Sequence, residues 1–129
     1  IDNLARFVNP TTILCAYEED PSDPNHEGLK DNYDRLESAT DQDGNPLNII
    51  RLPMPGKVEA SSGRLPASYA NFYIGNRVIL LPVYNTANDS KAEAILKEAF
   101  PEREIVPIPC RELVQGFGSI HCVTQQQPL

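Results

Sequence analysis

The sequence lacks any C-x-x-C spacing and carries only three cysteines, Cys15, Cys110 and Cys122. An odd count without paired spacing suggests neither a disulfide framework nor a zinc knuckle, so no metal is expected and a reducing, cytoplasmic setting is the simplest reading. No run of about 18 apolar residues occurs, and Pro82 interrupts the densest stretch, residues 78–83. A transmembrane helix is therefore excluded, and no membrane partner is expected. Ile1-Asp2-Asn3 has no basic region and no long apolar run, so a signal peptide is not expected there. Basic side chains are outnumbered, 11 against 18 acidic, for a formal net charge of −7. Such a surface repels phosphate backbones and weakly concentrates cationic ligands, which removes nucleic acid from the expected partners.

What is present fits one domain. With 129 residues, 40% hydrophobic and 22% charged, the chain is long enough to bury roughly two-thirds of its unfolded surface without covalent staples. It opens at Ile1 rather than at a methionine, inside what reads as an element, and is expected to be a processed product or a piece of something longer.

Two stretches, about 1–55 and 67–110, repeat one order of signals: strand, tight turn, strand, helix, strand. In the first, residues 5–8 and 12–17 are short apolar runs separated by the turn formers Asn9-Pro10-Thr11. A proline-bearing loop, 18–28, precedes Leu29, Tyr33, Leu36 and Thr40 at helical spacing; Asp43-Gly44-Asn45 then turns the chain into a strand at 48–52. In the second, residues 71–74 and 77–83 flank Gly75-Asn76, read as a hairpin turn in which glycine takes positive φ. Ser90-Lys91-Ala92-Glu93 reads as a capping box, and Ala92, Ile95, Leu96, Ala99 and Phe100 form one apolar stripe before Pro101. Residues 104–108 close the unit as a strand. A unit of one helix and three strands covers one face of its sheet, so two copies are expected to seek more. Residues 56–66, with Ser61-Ser62-Gly63, read as a surface loop or as a loop over a pocket mouth.

Cys122 lies in Gly116-Phe117-Gly118-Ser119-Ile120-His121-Cys122-Val123-Thr124-Gln125-Gln126. By residue type alone it reads as a buried packing cysteine. Its setting offers a second reading, in which the glycines allow close approach and a short strand over about 119–126 delivers the thiol to a fixed point. A nucleophilic cysteine needs a base or a cationic neighbour. His121 is not expected to be that base, because neighbours on a strand point to opposite faces; it reads as a core or supporting histidine. His26 reads as solvated, Cys15 and Cys110 as packing residues. Asp2, alone, reads as an exposed terminal carboxylate, or as one able to pair bidentately with a planar cation.

Together, Ile1-Asp2-Asn3-Leu4-Ala5-Arg6-Phe7, Pro66-Ala67-Ser68-Tyr69-Ala70-Asn71-Phe72-Tyr73-Ile74 and Gly118-Ser119-Ile120-His121-Cys122-Val123-Thr124-Gln125-Gln126-Gln127-Pro128 resemble the C-terminal portion of the agmatine deiminase family, which includes the bacterial-type peptidylarginine deiminases. The resemblance covers nearly the whole chain and is most specific in the closing motif. It implies an α/β (α+β) fold, the pentein β/α-propeller, of which this chain holds about two ββαβ repeats from a five-repeat ring. It implies metal-free, cofactor-free hydrolysis of a guanidinium group: agmatine and water to N-carbamoylputrescine and ammonia, a reaction leading to putrescine, or the same chemistry on peptidyl arginine. Cys122 matches the nucleophile that forms a covalent thiouronium intermediate, and Asp2 the carboxylate of a His-x-Asp pair that binds guanidinium. Asn71 and Gly118 are expected to shape the pocket, the glycine by admitting substrate. Phe117 stands where the family commonly has glycine. The histidine of His-x-Asp would immediately precede Ile1, and another binding aspartate belongs to the family's N-terminal half. The isolated chain is therefore expected to be inactive, with the remainder of the parent chain as its partner. A non-catalytic fragment that self-associates as a homo-oligomer is the alternative of a different class.

Overall fold

Strand β2, Thr12–Tyr17, is buried along its whole length, and that single fact sets the architecture. A strand covered on both faces reads as an unbroken apolar run and needs a layer on each side. One side is helix α1, His26–Glu37, whose Tyr33 meets Cys15 and Tyr17. The other is the main core, where Leu14 joins Leu52, Tyr69, Phe72, Ile79, Leu81 and Leu96. The computed structural model describes residues 1–127; Pro128, quoted above in the closing motif, lies outside the described residues.

Two three-stranded sheets share one order. β1 (Ala5–Asn9) runs antiparallel to β2, and β2 runs parallel to β3 (Asn48–Pro53) through the α1 crossover. A small hairpin, β4 (Glu59–Ala60) and β5 (Gly63–Arg64), separates the units. The second sheet places β6 (Tyr73–Ile74) antiparallel to β7 (Val78–Val83), and β7 parallel to β8 (Glu104–Pro109) through helix α2 (Asp89–Ala99). Pro82 is tolerated in the middle strand because β6 pairs only as far as Leu80, so no ladder partner on that side needs its missing N–H. Ala92 and Leu96 of α2 are fully buried, as their spacing predicts.

Several local expectations are corrected. The strand expected over 119–126 is absent; His121–Val123 instead forms a turn of 3-10 helix. Helix α1 begins at His26, inside the expected loop, and ends before Thr40. His26 is half-buried, its Nδ1 2.7 Å from the Glu18 carbonyl oxygen, rather than solvated. The capping box does not form: α2 starts two residues earlier, with Asn88 rather than Ser90 at the cap position, Glu93 pairs with Lys97, and the Asp89 carboxylate accepts the N–H groups of Tyr84 and Thr86 and the hydroxyl of Tyr69. Gly75 does not take positive φ; a Cβ there would approach the Val78 carbonyl oxygen to 3.1 Å, so close backbone packing is the reason for glycine. Residues 56–66 are not all surface, since Val58 and Leu65 are core residues.

Polar groups buried between the units carry the chain toward its closing turn. The Tyr84 hydroxyl lies 2.7 Å from Ser119 Oγ and donates to the Ser68 carbonyl oxygen at 3.1 Å, and all three residues are essentially unexposed. Burial pushes the Tyr84 pKa up to about 12 despite those partners, so it stays a neutral phenol. Tyr84→Phe strands Ser119 Oγ and the Ser68 N–H, which the phenol oxygen accepts at 3.3 Å, while the Ser68 carbonyl oxygen keeps the Asn71 N–H; it is expected to lower unfolding stability by about 1–3 kcal/mol. Urea unfolding measures this; an unchanged midpoint would show that the phenol holds nothing in place.

Candidate active site

Three segments distant in sequence meet at one buried amide. Asn71 is fully buried on the connection between the units. Its Oδ1 accepts the backbone N–H of His121 at 3.0 Å and of Cys122 at 3.4 Å. Its Nδ2 lies 2.8 Å from Asn3 Oδ1, 3.0 Å from Cys122 Sγ and 3.2 Å from Asp2 Oδ2. Two N–H hydrogens face three acceptors, so they are shared among them. The opening segment is clamped to the same region: Ser68 Oγ donates to the Asn3 carbonyl oxygen at 2.8 Å, and the Arg6 guanidinium donates to the carbonyl oxygens of Ala70 and Phe72.

Asp2 and Cys122 are therefore neighbours. The sulfur lies 3.3 Å from Asp2 Oδ2, and His121 Nδ1 lies 2.8 Å from the same oxygen. An ionised carboxylate only accepts, so His121 carries its proton on Nδ1 and donates it. Burial acts to raise the Asp2 pKa, but the hydrogen bonds from His121 and then Cys122 outweigh it, holding the carboxyl below the usual aspartate value. The sequence reading had His121 and Cys122 diverging on a strand. On the 3-10 turn, with different geometry, both side chains reach one carboxylate.

Gly118 is not the open place in the pocket that was expected. A Cβ there would sit 2.7 Å from Cys122 Cβ and 2.8 Å from its Sγ, so the missing side chain makes room for the cysteine itself. Phe117, just before it, adopts left-handed φ of 66° and caps the preceding turn, a conformation that favours glycine. These two residues fold the chain back so that Ser119 reaches Tyr84 and Cys122 reaches Asp2.

The thiol of Cys122 is exposed, whereas Cys15 and Cys110 are fully buried and burial pushes both of their pKa values up. A separate concavity of about 670 Å³ lies beside α1, lined by Asn3, Leu29, Arg64 and Ser68 but by neither Asp2 nor Cys122. Of the 56–66 segment, only Arg64, Leu65 and Pro66 line that concavity. Among the described residues no cluster of histidine, cysteine and acidic side chains has a metal-binding arrangement, and no helix is long and apolar enough to cross a membrane. Sequence reasoning singled out Asp2, Asn71, Gly118 and Cys122; it missed Asn3, for which no spacing signal exists, and undervalued His121.

The sequence profile of the Porphyromonas-type peptidyl-arginine deiminase family matches residues 1–128. The agmatine deiminase of Pseudomonas fluorescens (strain SBW25) is 37% identical over 99% of this chain and 40% of its own length. The solved agmatine deiminase of Enterococcus faecalis superposes with a TM-score of 0.91 at 33% identity, covering 98% of this chain and 40% of that one. A Porphyromonas gingivalis structure, provisionally called an arginine deiminase, gives a TM-score of 0.95 at 42% identity over 98% of this chain and 38% of its own. The chain thus spans about 40% of the length of the curated relatives it matches.

A neutral disulfide reagent is expected to titrate one thiol per native chain, Cys122, and all three after unfolding. Rapid reaction of two or three native thiols would contradict the burial of Cys15 and Cys110.

Proposed function

The chain belongs to the Porphyromonas-type peptidyl-arginine deiminase family, and from that membership we propose that it is the C-terminal part of a guanidine-group hydrolase whose sulfur nucleophile is Cys122. The observation that carries this reading is the 3.3 Å approach of the Cys122 sulfur to the Asp2 carboxylate, on an exposed turn held by a buried amide. A carboxylate beside a thiol suits one ligand class above others, a planar cation that carries an electrophilic carbon. A guanidinium is that group, and desolvating it requires an anionic partner.

The proposed reaction runs in two halves. Asp2 accepts hydrogen bonds from the guanidinium nitrogens and sets the central carbon over Cys122 Sγ. A cation beside a thiol favours the thiolate, so the bound substrate itself assists in readying the nucleophile. The thiol gives up its proton as the sulfur bonds to carbon, one C–N bond breaks, and the departing nitrogen takes that proton and leaves as ammonia. Water then attacks the S-alkylthiouronium carbon, the C–S bond breaks, and the ureido product leaves with the thiol restored. The Asn71 amide keeps carboxylate and sulfur in register throughout.

Agmatine is the substrate proposed first, following the relatives so named. Peptidyl arginine is the second, favoured by the family profile that matches 1–128. The pentein ring of five repeats belongs to this proposal too, with the two ββαβ units as two of its members. The exposed Ile1, Phe7, Phe117 and Val123 are where the remaining part of the polypeptide, or a second copy of this chain, would pack.

Alone, the chain is proposed to be inactive, since the histidine of His-x-Asp, the general base that the resemblance implies, is not among its residues, and loss of such a base costs about 10²- to 10⁴-fold before the lost binding groups are counted. Ammonia release from agmatine by the isolated 129 residues, abolished by Cys122→Ser, would overturn this. In the full-length polypeptide, Cys122→Ser is expected to abolish ureido product from both agmatine and a blocked arginine peptide, while their kcat/KM ratio names the substrate. Gly118→Ala, which must push the sulfur aside, is expected to lower kcat by about 10²-fold without unfolding the protein. Wild-type kcat in that variant would mean the 2.7 Å approach does not constrain the thiol.

A further inference from the structure

The donors around Asp2 are distributed unevenly. His121 Nδ1, Cys122 Sγ and Asn71 Nδ2 all converge on Oδ2, and among the described residues no hydrogen bond reaches Oδ1. The contact from His121, at 2.8 Å, is shorter than those from Asn71 and Cys122, at 3.2 and 3.3 Å. An aspartate carboxyl turns about a soft, nearly two-fold χ2 torsion, so its own stereochemistry does not choose which oxygen faces a ligand. A hydrogen bond has to choose. The His121 ring is itself anchored, because its backbone N–H is held by both Oδ1 and the carbonyl oxygen of Asn71.

We propose that His121 is a positioning residue: its Nδ1–H locks Oδ2 of Asp2 and thereby presents Oδ1 to the incoming guanidinium. The identity of that cation rests on the deiminase reading; the locking of the carboxylate does not. His121 makes no hydrogen bond to the Cys122 sulfur, so it acts on substrate through Asp2 and not as the base for the thiol. The charged and titratable groups that face Asp2 are His121, Cys122 and the Arg6 guanidinium, joined in the 129-residue chain by the ammonium at Ile1. Arg6 is occupied by the carbonyl oxygens of Ala70 and Phe72, which leaves His121 as the directed donor.

The test uses three variants and two readouts. His121→Asn places an amide N–H close to where Nδ1–H stood; His121→Gln carries its donor one bond farther out, and His121→Leu has none. In the 129-residue chain, carbon NMR of the Asp2 carboxyl is expected to show titration near the wild-type pH for His121→Asn. For His121→Leu and His121→Gln the titration should move up toward that of an ordinary aspartate. Unchanged titration in both His121→Leu, which has no donor, and His121→Gln, whose donor is displaced, overturns the proposal. Should the leucine variant fail to fold, the glutamine variant decides. In the full-length protein, KM for the guanidino substrate is expected to rise about tenfold in His121→Leu and to recover in His121→Asn. A fall in kcat at unchanged KM, shared by the asparagine variant, would overturn the proposal by making His121 a proton carrier. If the unsubstituted full-length protein hydrolyses no guanidino compound, the deiminase reading fails and the NMR arm alone decides what His121 does to Asp2.

Discussion

The side-chain amide of Asn71 is the constraint on which the site depends. A buried amide that finds no partners costs on the order of 1–3 kcal/mol per unsatisfied group. Here every partner belongs to the candidate site: the backbone of the turn that carries Cys122, the sulfur itself, the Asp2 carboxylate and the Asn3 amide. Folding cannot satisfy Asn71 without bringing residues 2–3 and 121–122 together. The stability of the connection between the two units and the assembly of the site are therefore one requirement. The Tyr84, Ser68 and Ser119 network beneath it works in the same way, tying the approach to the closing turn to the second sheet.

Shape at the site comes from small deviations with specific causes. Phe117 accepts a left-handed backbone conformation, and Gly118 removes the one Cβ that would collide with the cysteine. A strand would have carried His121 and Cys122 to opposite faces. The 3-10 turn lets both converge on Asp2, one bonding through nitrogen and the other through sulfur. Among the described residues every hydrogen-bond donor to this carboxylate reaches Oδ2 and none reaches Oδ1, a division suited to the planar, multiply donating ligand proposed for it.

Much of the scaffold was legible in the sequence because burial imposes it. The unbroken apolar run of β2, the apolar stripe of α2 ending at Pro101, and the repeated order of elements all follow from which faces must be covered. The misreadings share a different cause. Ser90 has the spelling of a cap, but the helix starts at Asp89, whose carboxylate takes the hydroxyl of Tyr69, 20 residues away, and the backbone N–H of Tyr84 on the connection after β7. The segment around Cys122 has the composition of a strand, yet the backbone N–H groups of His121 and Cys122 are claimed by Asn71, 50 and 51 residues away, rather than by a neighbouring strand. The partnership of Asp2 with Cys122 spans nearly the full chain, and no local pattern encodes it; only the family resemblance placed those two residues in one site.

The central claim is that the Cys122 sulfur bonds to the guanidinium carbon of a cation held on Asp2. Acid-quenching the full-length protein during turnover and weighing the proteolytic peptide that carries Cys122 tests it directly. A mass increment equal to substrate less ammonia, confined to that peptide and missing in Asp2→Asn, is expected. Turnover with an unmodified Cys122 peptide at every quench time, or an adduct that forms equally well without the Asp2 carboxylate, would contradict it.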